Sequence, residues 1–158
     1  MSRTDLAWLA VAAYALHMLE EHILDWQSSA RKQMNLSMER DHYVTIEIVL
    51  LILGAVAAML VASQPVFALA FAVFLVINVT FFHLLPMILA GGKFSPGVIT
   101  GIVLFYPIVW KQYQLTGTAP QTPQETLILA VVIGAAIILW PVLLLKLRKR
   151  PYFRQGGR

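Results

Sequence analysis

Long apolar stretches separated by short polar breaks run along most of the chain. Each stretch has about the 20 residues with which a helix crosses roughly 30 Å of hydrocarbon at 1.5 Å per residue. The pattern therefore predicts a single all-α domain over residues 1–158, built as a polytopic transmembrane bundle of about five helices. The five spans are expected at residues 6–26, 43–62, 66–90, 96–113 and 126–146.

The breaks between these stretches contain residues that commonly end or start helices. Residues 27–41 are polar, Pro65 opens the third span, and Gly91 and Gly92 follow its end. Proline is favoured in the first turn of a helix, and glycine is favoured just after the last. Residues 116–123 form a further break that is rich in Gly, Pro and Thr.

The composition agrees with a location in the bilayer. Hydrophobic residues make up 59% of the chain and charged residues 13%, whereas globular proteins have roughly 45–50% and 25%. The absence of cysteine excludes disulfides, thiolate nucleophiles and Cys-ligated zinc or iron–sulfur sites. The net charge of +4 owes much to a basic C-terminus. Such a tail beside a membrane helix indicates topology or lipid contact, and we expect no nucleic-acid partner.

The positions of Lys and Arg predict the orientation of the bundle. Of the six segments outside the spans, the second, fourth and sixth together hold ten of the twelve Lys and Arg residues. Alternate segments lie on the same side of the membrane, and basic segments face the cytoplasm. We therefore expect the N-terminus outside and the C-terminus in the cytoplasm.

Ionisable and amide side chains interrupt three of the predicted spans. A charge at the centre of the bilayer costs at least about 2.5–3.5 kcal/mol, so such residues usually have a function. At 1.5 Å per residue, they share a depth of roughly 17–26 Å below the outer boundary, in the cytoplasmic half. They are His17, Glu20, Glu21 and His22 in the first span, Glu47 in the second, and Asn78 and His83 in the third.

Helical geometry places three of these residues on one stripe of the first helix. Glu20 and Glu21 lie about 60° and 40° to either side of His17. His22 points about 140° away from His17 and therefore need not share a site with it.

The third span presents a geometric difficulty. Asn78 and His83 are about 140° apart on an ideal helix, so they face one point only if the helix is distorted. Pro86 leaves the carbonyl of Phe82 without its helical partner, which favours a local distortion close to His83.

The residues at the shared depth form a candidate metal site. Two imidazoles and a carboxylate suit zinc or non-haem iron, so His17, Glu21 and His83 are candidate ligands. The candidate catalytic groups are Glu20, Glu21 and Glu47, and Glu47 is either a further ligand or a general acid or base. Three polar residues are expected to contact the substrate: Asn78, Thr100 and Tyr106.

The segment His17-Met18-Leu19-Glu20-Glu21 reads H-x-x-E-E. The chain resembles the family of small, mostly bacterial membrane proteins named for that motif, whose members also carry a later histidine and a Y-x-P-G sequence. His83 matches the histidine, and Phe94-Ser95-Pro96-Gly97 matches the second motif with Phe in place of Tyr. The resemblance implies a membrane enzyme of unsettled reaction in the inner membrane of a bacterium, and Phe94 removes any role for the phenol hydroxyl.

Three classes of function are open at this point. The favoured one is a metal-dependent membrane enzyme acting on a lipophilic, lipid or isoprenoid-like substrate. The second is a metal-free isomerase or cyclase, in which Glu and His side chains move protons. The third is a proton or metal-ion carrier, which usually needs access from both sides of the membrane. The roles of His22, His42 and Asp25 and the oligomeric state stay open.

Overall fold

A computed structural model of the protein describes residues 1–36, 38–119 and 122–148. All regular structure in these residues is helical, which confirms the predicted all-α class. The residues 149–158, with four of the six basic residues near the C-terminus, lie outside the described part. The described helices are α1 (Arg3–Ile23), α2 (Trp26–Met34), α3 (Arg40–Leu60), α4 (Pro65–Leu89), α5 (98–117) and α6 (Gln124–Arg148).

Two of the six helices contain π-helical turns. In α4, regular helix over Pro65–Asn78 is followed by a π turn over Val79–Leu84 and by Leu85–Leu89. In α5, short α-helical pieces alternate with π turns at Gly101–Phe105 and Tyr113–Gly117. The π turn of α4 has an identifiable cause, because Pro86 has no N–H to donate to the Phe82 carbonyl.

The helix α2 is the element that the apolar pattern did not predict. It lies in the polar segment 27–41, and α1 ends at Ile23 rather than continuing to residue 26. Asp25 starts α2 by adopting a left-handed conformation and accepting a hydrogen bond from the backbone N–H of Ser28. A search for long apolar runs does not detect a polar helix of nine residues, although its acidic cap is a recognisable start signal.

Three helices are long and apolar enough to cross a membrane: Arg40–Leu60, Pro65–Leu89 and Gln124–Leu144. Their length and composition indicate a membrane protein. In the described residues, the other two predicted spans correspond to α1, with its acidic C-terminal turn, and α5, which π turns interrupt. Five spans and the orientation of the termini therefore stay predictions.

The helix α4 is the centre of the bundle. It contacts α1, α3, α5 and α6, and its side chains Phe74, Leu75 and Val79 are fully buried. Small residues allow the closest approaches, as is typical of membrane helices. A Cβ atom on Gly134 of α6 would lie 2.6 Å from the Ala70 carbonyl oxygen of α4, so this glycine sets the distance between the two helices.

Candidate metal centre

Three potential metal ligands meet where α1 and α4 pack together. His17, Glu21 and His83 are buried, and one ligand atom from each lies within 4.8 Å of the others. Glu21 Oε1 is 3.2 Å from His83 Nε2 and 3.7 Å from His17 Nε2. Glu21 follows His17 by one helical turn, so both side chains project from the same face of α1. The three predicted ligands are thus adjacent in the fold.

The π turn of α4 removes the difficulty with Asn78 and His83. The N–H of Leu85 bonds to the Thr80 carbonyl, five residues back, which widens the turn between the two side chains. Both then face α1: Asn78 Nδ2 lies 3.3 Å from His17 Nε2, and the His83 ring packs against the His17 ring at a centroid distance of 4.8 Å. The distortion expected near Pro86 is therefore present, and it brings Asn78 and His83 to the same side of α4.

The hydrogen bond at the far side of His83 defines its tautomer. His83 Nδ1 lies 2.6 Å from the Pro96 carbonyl oxygen, which can only accept, so Nδ1 carries a proton. In the neutral ring, Nε2 then presents a lone pair to Glu21 Oε1. In the described ranges, this buried Nε2 has no hydrogen-bond partner, although the carboxylate oxygen is only 3.2 Å away. A buried nitrogen and oxygen that both offer lone pairs require a proton or a cation between them.

A chain of donors gives His17 the same tautomer. The Thr100 hydroxyl donates to Glu20 Oε2 at 2.6 Å, so its oxygen is left to accept from His17 Nδ1–H at 3.0 Å. His17 Nε2 therefore presents its lone pair toward Glu21, where the Asn78 amide can donate to it. Both imidazoles have their Nδ1 protons engaged at the periphery and their Nε2 lone pairs directed inward.

Glu20 holds α5 rather than joining the three ligand atoms. Its Oε1 accepts from the N–H groups of Gly97 and Ile99 at 2.8 and 3.2 Å, and its Oε2 accepts from the Thr100 N–H at 2.8 Å. Free N–H groups at a helix start attract a carboxylate. The consequence is that Glu20 fixes the position of Thr100, which in turn orients His17.

Gly97 allows the loop before α5 to pass directly against both imidazoles. Its φ of 93° lies in the left-handed region. A Cβ atom there would lie 2.6 Å from His83 Cε1 and 2.7 Å from His17 Cε1. Only glycine combines this backbone conformation with so close an approach.

A cavity of about 80 Å³ adjoins the ligand cluster. Its polar end contains Glu21, Tyr43, Glu47 and Asn78. The Tyr43 hydroxyl donates to Glu21 Oε2 at 3.0 Å, which holds the carboxylate with Oε1 toward the histidines. One oxygen of Glu47 lies 2.7 Å from His22 Nε2, and the other is buried and makes no hydrogen bond with the residues that the structure describes.

His22 and Tyr43 are the residues that sequence reasoning did not place in the site. His22 points away from His17 around α1, but α3 packs on that side and brings Glu47 to it. Tyr43 lies one helical turn before Glu47, and that spacing alone was a usable signal. Contacts between helices, rather than angles on one helix, determine both roles.

The remaining candidates lie further from the ligands. The Tyr106 hydroxyl is 3.0 Å from the Thr80 hydroxyl and does not line the cavity described above. His42 pairs with Glu39 at 3.2 Å on the surface, and Asp25 caps α2.

The cluster could hold a metal ion. Metal-bound histidines usually donate their second ring N–H to a carbonyl or to a carboxylate-linked group, and both imidazoles here have that arrangement. Ligand atoms about 2.0–2.2 Å from a tetrahedral ion lie about 3.4 Å apart. The distances of 3.2 and 3.7 Å from Glu21 Oε1 to the two nitrogens lie on either side of that value.

The family described as "Protein of unknown function with HXXEE motif" matches residues 8–111. No curated protein and no solved structure matches the chain significantly. The matched region is more than half of the chain and includes His17, Glu20, Glu21, His83 and Gly97. The chain therefore belongs to the HXXEE family.

Proposed function

We propose that the chain is a metal-dependent enzyme embedded in the bacterial inner membrane, where it acts on a lipophilic substrate. One observation supports this most directly: two buried imidazoles and one carboxylate direct lone pairs at a common point, and both rings are oriented by hydrogen bonds at their opposite nitrogens. A zinc or iron ion bound there would polarise a substrate oxygen or activate water.

The ligands would be His17, Glu21 and His83, and the surrounding residues would keep them in position. Tyr43 orients the Glu21 carboxylate, and Thr100 orients His17. An ion would replace the present contact between Asn78 and His17 Nε2, which leaves the Asn78 amide beside the ion to hold the substrate.

Glu47 is suited to hold or transfer a proton at the polar end of the cavity. One of its oxygens makes no hydrogen bond within the described part of the chain, and the other contacts His22, whose side chain is 32% exposed. His22 also lines a polar pocket with Asp25, Gln27 and Arg40, through which protons reach water. We assign the general acid or base role to Glu47 on this basis.

The contact of Glu47 with His22 also favours the second candidate, a metal-free isomerase or cyclase. In that reaction the same pair would add and remove protons, and the buried histidines would only build the pocket. A carrier is less well supported, because Phe71, Phe74 and Phe105 fill the bundle on the other side of the cluster.

Metal analysis of the purified protein tests the proposal. Wild-type protein, supplied with zinc and iron during expression and purified in detergent, should retain a single transition-metal ion per chain. Glu21→Gln should lose the ion and remain folded, since the shape of the side chain is kept. Glu125→Gln is the matched control, because Glu125 is exposed in the first turn of α6.

The alternatives give different results in the same experiment. Wild-type protein that neither retains a metal nor binds one on titration would refute the metal enzyme. Equal metal content in wild type and Glu21→Gln would refute the ligand assignment. The metal-free reading would gain support if the protein lacked metal and its turnover depended on Glu47.

A further inference from the structure

The cavity beside the ligand cluster has walls of two kinds. Its polar end is formed by α1, α3 and α4, where the two carboxylates lie. The rest of its lining is apolar and comes from α3, α4, α6 and the segment before α3. These apolar residues include Leu36, Met38, Ile46, Leu50, Ile138 and Val142.

The apolar part of the cavity lies where the bundle is least closed. The helix α6 packs mainly on α4, and α3 and α6 do not pack closely on each other in the described residues. Both helices also expose many large apolar side chains, such as Ile52 of α3 and Leu139 of α6. Ile138, Pro141 and Val142 form one edge of the gap. Hydrocarbon chains of the bilayer would surround this gap.

The volume limits what part of a substrate can enter. About 80 Å³ is the share of roughly two or three water molecules in the liquid, at about 30 Å³ each. A phospholipid headgroup or a diphosphate is too large for that space. A small terminal group fits, provided that the rest of the molecule stays between α3 and α6.

The charges at the polar end limit the chemistry of that terminal group. Glu21 and Glu47 both lie there, and the described lining contains no Lys or Arg. With a divalent ion on His17, Glu21 and His83, the two carboxylates balance the charge of the ion, so an anionic terminus would add a net negative charge for which the described lining holds no Lys or Arg. A neutral hydroxyl or aldehyde adds no charge and finds hydrogen-bond partners in the cavity. A hydroxyl donates to the oxygen of Glu47 that has no hydrogen-bond partner among the described residues, and the Asn78 amide donates to the oxygen of a hydroxyl or an aldehyde.

We infer that the gap between α3 and α6 is a lateral portal for a neutral single-chain lipid that ends in a hydroxyl or aldehyde group. This inference rests on the proposed function for the identity of the reacting end. It narrows the substrate class by excluding carboxylates, phosphates and two-chain lipids. The chain of the substrate lies among Leu50, Ile138 and Val142, and its oxygen lies beside Glu21 and Glu47.

Photo-crosslinking in liposomes tests the portal. The probe is a long-chain primary alcohol with a diazirine within its chain, several carbons from the hydroxyl, and an alkyne at its tail. In wild-type protein, the labelled peptides should come from the cavity walls on α3 and α6. An excess of unlabelled long-chain alcohol or aldehyde should compete, whereas the fatty acid or alkyl phosphate of equal length should compete much less.

Two valine variants of α6 provide the matched comparison. Val142→Trp places an indole ring at the edge of the gap and should lower labelling roughly tenfold, because the ring occupies the space that the chain of the probe needs. Val132→Trp lies at an exposed position of the same helix and should leave labelling unchanged. The two variants should have the same thermal unfolding temperature, so a difference in labelling does not come from a difference in stability. The labelled peptides of wild type are a separate result that depends on neither variant.

Equal labelling of Val142→Trp and wild type, or labelled peptides outside the cavity walls, would overturn the portal. Stronger competition by the fatty acid or the phosphate would overturn the neutral terminus. The metal content of the same preparations separates the two proposals. Correct labelling of a protein that cannot bind metal refutes the metal enzyme and leaves the portal standing. A bound metal without labelling refutes the portal and leaves the metal enzyme standing.

Discussion

Replacement of Gly97 by Ala would place a methyl group between the two imidazoles of the ligand cluster. The new Cβ atom would lie 2.6 Å from His83 Cε1, 2.7 Å from His83 Nδ1 and 2.7 Å from His17 Cε1. Contacts this short cannot persist, so the rings or the loop must move. Either movement breaks the hydrogen bond from His83 Nδ1 to the Pro96 carbonyl.

The cost of this substitution has two parts. A side chain at a φ of 93° costs roughly 1–2 kcal/mol in backbone strain. Insertion of a methyl group into a packed interior costs a further 1–3 kcal/mol or so. We therefore expect Gly97→Ala to lower the free energy of unfolding by about 2–5 kcal/mol and to abolish metal binding, because His17 and His83 lose their orientation.

Gly91→Ala is the control that separates the two parts. Gly91 has a φ of 72°, in the same left-handed region, but no atom lies within 4 Å of its Cβ position. This variant should lose only the backbone part, about 1–2 kcal/mol, and should bind metal normally. The difference between the two variants then measures the contact with the imidazoles.

Unfolding in detergent by heat or denaturant and titration with zinc provide the two measurements. The zinc dissociation constant of Gly91→Ala should equal that of wild type, and Gly97→Ala should show no saturable binding. If Gly97→Ala bound zinc as Gly91→Ala does and was equally stable, the close approach of the loop to both imidazoles would be wrong.

Changes at three further positions test the surroundings of the candidate ligands, each by zinc titration. Thr100→Val should weaken zinc binding about 10–100-fold, because His17 loses the hydrogen bond that orients its ring. Thr100→Ser keeps the hydroxyl and should bind zinc as wild type does. Equal affinities of the Val and Ser variants would exclude the hydroxyl as the link to His17. Tyr43→Phe should weaken binding and cost about 0.5–1.5 kcal/mol of stability through loss of its bond to Glu21, and unchanged values for both would count against that bond. Insertion of an alanine after Phe81 should abolish binding by rotating Asn78 about 100° relative to His83, whereas deletion of Phe81 should retain binding, because a regular helix places residues four positions apart on one face. Phe81→Ala keeps the length of the turn and should bind normally, and zinc binding by the insertion variant would show that the relative orientation of Asn78 and His83 is not required.

Much of the ligand cluster was predictable because one short motif carries two of its members. His17 and Glu21 are four residues apart, which is the helical repeat, so any helix places them on one face. His83 lies in a distant part of the chain, and it was assigned to the cluster because its predicted depth in the membrane matches that of His17 and Glu21. The all-α class followed from the apolar stretches in the same direct way.

The parts that were missed depend on contacts between elements. The pairing of His22 with Glu47 needs the position of α3 around α1, which no pattern on a single helix provides. The helix α2 is too short and too polar for an apolar stretch to reveal it. The predicted angle between Asn78 and His83 around the helix axis is correct for an ideal helix and incorrect for a π turn. Only Pro86 indicated that such a turn is present.

The two adjacent glutamates of the motif have separate roles because a helix turns by about 100° between them. Glu21 lies on the side of His17 that faces α4, and its carboxylate meets His83 there. Glu20 lies on the other side, where it accepts four hydrogen bonds from the start of α5. The spacing H-x-x-E-E thus joins a candidate ligand, the residue that orients it through Thr100, and a second candidate ligand within five positions of one helix. A single glutamate cannot perform both roles, because its carboxylate projects to only one side of α1.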